Sequence, residues 1–171
     1  MATNENLKEA FAGESQANRR YLAFAKKAEA EGKEQVAKLF KAAAQSETIH
    51  ALQHLDVLGE VGTTEQNLQA AIEGETYEFE QMYPGFIDQA EKENNKAAAM
   101  SFSSANAVEK IHAGFFKKAL ADLGKEEQVD YYVCPVCGNV FEGKGPDSCP
   151  ICHTPNSKFA GDSDSLFRKY N

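Results

Sequence analysis

Glu47-x-x-His50 recurs sixty-two residues later as Glu109-x-x-His112. Residues three apart on an α-helix are neighbours on one face, so each pair can aim a carboxylate and an imidazole at one point. Both pairs sit in apolar stripes of helical period. The first is Val36, Phe40, Ala43, Glu47, His50, Val57, and the second is Ala98, Phe102, Ala105, Glu109, His112, Phe116. A carboxylate in a core-facing stripe costs several kcal/mol, on the order of a buried unpaired ion, unless a cation compensates it. One such pair is an ordinary helix-surface motif. Two pairs on two core-facing stripes call for a common cation.

Further carboxylates join them. Ala10-x-x-Gly13-Glu14-Ser15 returns as Ala71-x-x-Gly74-Glu75-Thr76, an offset of sixty-one, so the chain reads as internally duplicated. Each half supplies one helix with a central Glu and a second with Glu-x-x-His. The halves differ where Ala17 corresponds to Glu78, an additional carboxylate. The candidate ligands are therefore Glu14, Glu47, His50, Glu75, Glu78, Glu109 and His112. Carboxylate-rich sites with a minority of imidazole suit iron or manganese better than zinc, which takes fewer and softer ligands. Five carboxylates are too many for one cation, and two divalent ions balance most of their charge. Ferritin-like dimetal bundles take one Glu from each of two helices and Glu-x-x-His from each of two others, which is this pattern. Solvated charges and satisfied core histidines would explain any one of these residues, but not the duplicated set. His54 is a useful contrast: it lies one turn beyond His50 with no Glu three residues before it, and reads as a core or ligand-supporting histidine. Tyr21 and Tyr83 fall on or near the same stripes. Their phenols could hydrogen-bond a metal carboxylate or a bound oxygen species, or serve packing alone.

A second constellation uses sulfur. Cys134-x-x-Cys137 and Cys149-x-x-Cys152, eleven residues apart, form a strong four-thiolate signature. Thiolate geometry alone leaves structural zinc and redox-active iron both open. Pro135, Pro150 and Gly138 are what tight metal knuckles use, with backbone N–H groups pointing at sulfur. His153 stands where a second knuckle glycine would be expected, and histidine tolerates positive φ better than most residues. Cys149-Pro-Ile-Cys152-His153 also satisfies the c-type haem pattern. That reading fails because the other Cys-x-x-Cys lacks the histidine and there is no export signal.

The elements that must position these groups are mostly helical. A first helix is expected over Glu5–Glu31, broken by Gly32, and a second from roughly Lys33 to Leu58, ending at Gly59. Thr63-Thr64-Glu65-Gln66 is an N-terminal capping signal for a third helix, which Pro84 should kink or locally disturb. The polar tract Glu91–Lys96 turns the chain into a fourth helix that runs to about Leu123. Residues 1–124 make one helical domain, 125–130 a charged linker and 131–171 a small metal domain. Tyr131–Val133 and Asn139–Phe141 read as a hairpin, and Ala160–Asn171 as a lightly docked or mobile tail. The net charge of −8 argues against nucleic acid, and no apolar run approaches the ~20 residues of a membrane span. Cysteines confined to one local cluster fit a reducing compartment, and the polar start is no signal peptide, so a cytoplasmic location is expected.

Nearly the whole chain, in order, resembles rubrerythrin, and Gly74-Glu75-x-x-Glu78 with Met82-Tyr83-Pro84 carries the most specific part of the match. The resemblance implies a mainly α fold, a ferritin-like four-helix bundle followed by a small β-rich rubredoxin-like domain. It implies two irons in the bundle, bridged by Glu47 and Glu109, with Glu14 on one iron and Glu75 with His112 on the other. His50 and Glu78 would be alternative ligands to the first iron, exchanged with oxidation state. Cys134, Cys137, Cys149 and Cys152 would hold a mononuclear rubredoxin-type iron, with zinc substitution open. The implied activity is peroxidase: hydrogen peroxide is reduced to water in defence against oxidative stress, with weak or slow reaction toward dioxygen. The chain has no Gly-rich dinucleotide fingerprint, so electrons would come from NAD(P)H through a separate flavin reductase and a rubredoxin. The resemblance also implies a homodimer or larger assembly. The rival uses are an iron-oxidising or iron-storing ferritin relative, against which Glu78 and the cysteine module speak, and a metal-free scaffold with a zinc ribbon.

Overall fold

The structure, a computed structural model, describes residues 2–125 and 128–161. The expected tail beyond Gly161 and part of the expected linker, Glu126 and Glu127, lie outside the described residues. By their internal contacts the described residues form two units, which meet in sequence between Gly62 and Thr63.

The first unit is a hairpin of α1 (Ala2–Ala30) and α2 (Glu34–Leu58). Gly32, at φ 67°, turns the chain, and the Lys33 N–H returns to the Ala28 carbonyl at 2.8 Å. The seam is made of small residues: Ala25 and Ala28 from α1 against Ala37, Ala44 and Ala51 from α2. Alanines let the two backbones approach closely. Asn18 exploits that closeness, donating from Nδ2 to the Ala44 carbonyl at 2.7 Å and to the Thr48 hydroxyl at 2.8 Å. The stripe expected to face the core is corrected here, because Val36 is 45% and Val57 69% exposed. The alanine row, adjacent to the Glu47–His50 row on α2, takes the seam instead.

The second unit opens with a reciprocal capping box. Thr63 Oγ1 accepts from the Gln66 N–H, and Gln66 Oε1 accepts from the Thr63 N–H at 2.8 Å. The rod that follows has three segments: α3 (Thr64–Tyr77), a π-helical turn (Glu78–Met82) and α4 (Tyr83–Lys92). The Tyr83 N–H reaches back five residues to the Glu78 carbonyl. This wide turn is how the helix meets Pro84, whose ring and missing N–H would otherwise break the ladder. It also accommodates one extra residue. The repeat offset is sixty-one at Glu14 and Glu75, before the turn, and sixty-two at Tyr21 and Tyr83, after it. The connection to the next helix is shorter than expected, since α4 runs to Lys92 and Asn95 caps α5 (Lys96–Ala121) through the Ala98 N–H at 3.1 Å.

Within the same unit, β1 (Tyr131–Val133) pairs antiparallel with β2 (Val140–Glu142), with Val133 opposite Val140. A two-residue strand β3 (Ala160–Gly161) adds to the other side of β1, giving the order β2-β1-β3. Position 161 favours glycine, because a Cβ there would lie 2.1 Å from the Tyr132 ring. Phe141 stacks on Phe159 at 4.7 Å and with Cys134 and Cys149 forms a small core. The sheet is tied to α5 by Lys118, which reaches both Glu142 carboxylate oxygens at 2.7 Å, and by an edge-on Phe115–Tyr131 contact at 6.0 Å. Among the described residues no helix is long and apolar enough to cross a membrane.

Candidate metal centres

Each unit carries one copy of the same carboxylate–imidazole cluster. In the first, His50 Nδ1 lies 2.9 Å from Glu47 Oε2 and 3.9 Å from Glu14 Oε1. In the second, His112 Nδ1 lies 2.7 Å from Glu109 Oε2 and 3.7 Å from Glu75 Oε1. All ligand atoms within each cluster fall within 4.8 Å of one another. The three-residue spacing on α2 and α5 supplies each Glu–His pair, and the facing helix supplies the other Glu. The first cluster is the more open, with the His50 side chain 47% exposed against 25% for His112. His54 is half-buried and belongs to neither cluster.

Paired carboxylates facing one another should resist ionisation, and Glu75 does. Burial first, then the charge and hydrogen bond of Glu109 and the charge of Glu78, push its carboxyl up to about 7 from 4.5. Glu78 stands outside the second three-residue cluster but within reach of it. Burial and the Glu109 charge raise its carboxyl, and the His112 imidazole opposes them. It sits on the first residue of the π-turn, so the extra residue and the extra carboxylate enter the fold together. Tyr83 faces the same group: burial, then Glu109, Glu78 and Glu75, raise its phenol above the ordinary range. The two sequence-flagged tyrosines also head matching aromatic triads. Tyr21, Phe24 and Phe40 lie 5.5 to 6.3 Å apart by ring centroid, as do Tyr83, Phe86 and Phe102 at 5.5 to 6.3 Å.

The four cysteines converge between the two knuckles. Cys134 Sγ is 3.4 Å from Cys152 Sγ, and Cys137 Sγ is 3.4 Å from Cys149 Sγ. A tetrahedral metal with ~2.3 Å bonds to sulfur needs about 3.8 Å between sulfurs, so small adjustments admit one ion. The knuckle turns match: the Gly138 N–H donates to the Cys134 carbonyl at 3.0 Å, and the His153 N–H to the Cys149 carbonyl at 2.8 Å. His153 adopts φ 60°, beside Gly138 at 81°, so the histidine does take the left-handed turn. The thiols are unequal. Burial raises Cys137, while the Thr154 hydroxyl and then its backbone N–H hold Cys152 at about 6, against 9 for an ordinary thiol. Thr154 is the contributor that sequence reasoning missed. Its one signal was position, five residues after Cys149, as Asn139 is five after Cys134.

Two carboxylate–imidazole clusters on helices and a four-thiolate knuckle pair in one chain define a ferritin-like metalloprotein with an appended four-thiolate metal module. Both donor sets fit their metals: hard oxygens and imidazoles for a pair of divalent irons, soft thiolates for a tetrahedral one. The chain belongs to the rubrerythrin family, whose domain model matches residues 5–120 and whose rubredoxin-like domain model matches residues 132–160. Nigerythrin from Nitratidesulfovibrio vulgaris is 36% identical, covering 92% of this chain and 85% of that protein. Rubrerythrin-2 from Clostridium acetobutylicum is 37% identical, covering 92% and 95%. A fully reduced, all-ferrous nigerythrin structure superimposes with a TM-score of 0.59 at 35% identity, covering 93% of this chain and 86% of that one. The fold is therefore the family's ferritin-like four-helix bundle with a rubredoxin-like domain, and the cofactors are its di-iron site and Fe(Cys)4. Family members are peroxidases and oxidoreductases.

Proposed function

We propose that this chain reduces hydrogen peroxide to water at a non-haem di-iron site, as part of oxidative-stress protection. Electrons arrive one at a time through the Fe(Cys)4 module, from an NAD(P)H-dependent flavin reductase or a rubredoxin that it reduces. The recurrence of the Glu–Glu–His cluster in both units, in a chain that also gathers four thiolates, carries this reading. Glu14, Glu47, His50, Glu75, Glu78, Glu109 and His112 are the di-iron ligands, and Cys134, Cys137, Cys149 and Cys152 those of the single iron. In domain terms these are residues 1–124 and 131–171, joined by 125–130. A homodimer or larger assembly in a reducing cytoplasm is consistent with the family pattern and with the confined cysteines.

Reducing one peroxide to two waters takes two electrons and two protons. When bound, the iron pair supplies the two electrons, one from each ion. The chain must supply protons and charge balance. Before metal binds, the Glu75–Glu109 pair, which resists double ionisation, holds a proton near neutral pH; bound metal would displace it and leave both carboxylates to balance charge. Tyr83 is not among the ligands, and its phenol, raised above 10 by burial and then by Glu109, Glu78 and Glu75, keeps its proton beside them. The test is Glu78→Ala, which removes a ligand exchanged with oxidation state and should keep two irons per chain while lowering peroxide turnover about tenfold or more. Unchanged turnover would remove the role assigned to the additional carboxylate.

A further inference from the structure

Three polar side chains are buried among the described residues: Asn18, Asn139 and Thr154, at 7%, 1% and 8% exposure. Asn18 joins α1 to α2. The other two occupy equivalent places in the two cysteine knuckles, and their backbones behave alike. The Cys134 N–H donates to the Asn139 carbonyl at 2.8 Å, and the Cys149 N–H to the Thr154 carbonyl at 2.8 Å. The side chains break this two-fold likeness. Thr154 Oγ1 lies 3.1 Å from Cys152 Sγ in its own knuckle, while Asn139 Nδ2 reaches across to Cys149 Sγ at 3.9 Å. Both side-chain donors therefore fall on the second knuckle, and the threonine contact is the close one.

A metal-bound thiolate has no proton, so the Thr154 hydroxyl can only donate to it. Reducing an Fe(Cys)4 site by one electron adds one negative charge, and part of that charge resides on sulfur. A buried donor stabilises the reduced state more than the oxidised state and raises the potential. We propose that Thr154 is a tuning residue whose hydroxyl, on Cys152, raises the reduction potential of the iron held by the four cysteines. It thereby sets how readily the module takes its single electron from an external donor protein. The proposal rests on the four-thiolate site holding iron and is independent of what the helical site does with peroxide.

The test is a spectroelectrochemical titration of the full iron-loaded chain, followed by its ferric-thiolate absorbance. Thr154→Val keeps the shape and removes the hydroxyl, whereas Thr154→Ser keeps the hydroxyl and removes the methyl. For Thr154→Val the equilibrium constant for reduction by a fixed one-electron couple should fall about threefold to tenfold, ~28 to ~59 mV. Thr154→Ser should stay with the wild type. If the valine variant does not hold iron, Thr154→Ala removes the same hydroxyl with less volume and replaces it in the comparison. An unshifted midpoint without the hydroxyl, or an equal shift in the serine variant, would overturn the proposal. Absence of ferric-thiolate absorbance in the iron-loaded wild type would instead overturn the iron assignment beneath it.

Discussion

Metal binding at the second cluster should expel a countable fraction of a proton from Glu75. Its carboxyl is raised to about 7, by burial and then by Glu109 and Glu78, so it is half protonated at pH 7. The same titration leaves about nine-tenths of a proton at pH 6 and close to none at pH 8.5. A divalent ion takes the carboxylate deprotonated, so binding releases that fraction. Glu75→Gln is nearly isosteric and carries no titrating proton. The assay is calorimetric titration with Mn2+, after zinc has filled the thiolate site, in buffers of different ionisation enthalpy. The histidines and the remaining carboxylates are common to both proteins, so the difference reports the proton that Glu75 shares with Glu109. That difference should be about 0.9 proton at pH 6 and about 0.5 at pH 7, vanishing by pH 8.5. The linkage acts on folding with the same sign. A carboxyl raised in the folded state gives stability that is full below 4.5 and lost as pH rises through about 7. Metal-free wild type should therefore lose stability relative to the glutamine variant across that window. Equal proton release from the two proteins at pH 6 and pH 7 would refute the reasoning.

Cys152→Ser should leave the helices folded, by circular dichroism, and block reduction through the external donor; undiminished NADH-coupled activity would contradict the relay. Asn18→Ala removes one buried and one part-buried hydrogen bond from the α1–α2 seam and should destabilise the protein by about 1–3 kcal/mol in denaturant titration. A change below ~0.5 kcal/mol would mean that the alanine seam closes without them. Lys118→Glu places like charges together at the contact between α5 and β2. In zinc-loaded protein, 15N relaxation should then show the small sheet tumbling separately from α5, and adding Glu142→Lys should restore the contact. A sheet that stays coupled to the helix in the single variant would leave the Phe115–Tyr131 contact as the fastening.

The residues of the two carboxylate–imidazole clusters were legible because helical spacing is a strict geometric filter. Glu47 with His50 and Glu109 with His112 share a face in a helix and not in a strand, and the structure brings Glu14 and Glu75 to them. The Thr63–Gln66 capping box was equally direct, since both hydrogen bonds use residues three apart. Pro84 announced a disturbance without saying which kind. The trace of the π-turn was the step in repeat offset from sixty-one to sixty-two, which reports an inserted residue rather than a kink. Periodicity was less informative about burial. It shows which residues share a face of α2, but the Ala37–Ala44–Ala51 row and the Val36–His50–Val57 row are adjacent, and either could have taken the seam. The Thr154 contact depends on the folded shape of a knuckle, which spacing alone does not announce.

The central claim is that this chain uses its irons to reduce peroxide. Anaerobic stopped-flow absorbance of the fully reduced protein, mixed in turn with hydrogen peroxide and with dioxygen, tests it most directly. Peroxide should oxidise the protein rapidly and dioxygen much more slowly, with the ferric-thiolate band appearing as the module feeds its electron onward. Faster oxidation by dioxygen than by peroxide would contradict it and assign the chain to iron oxidation instead.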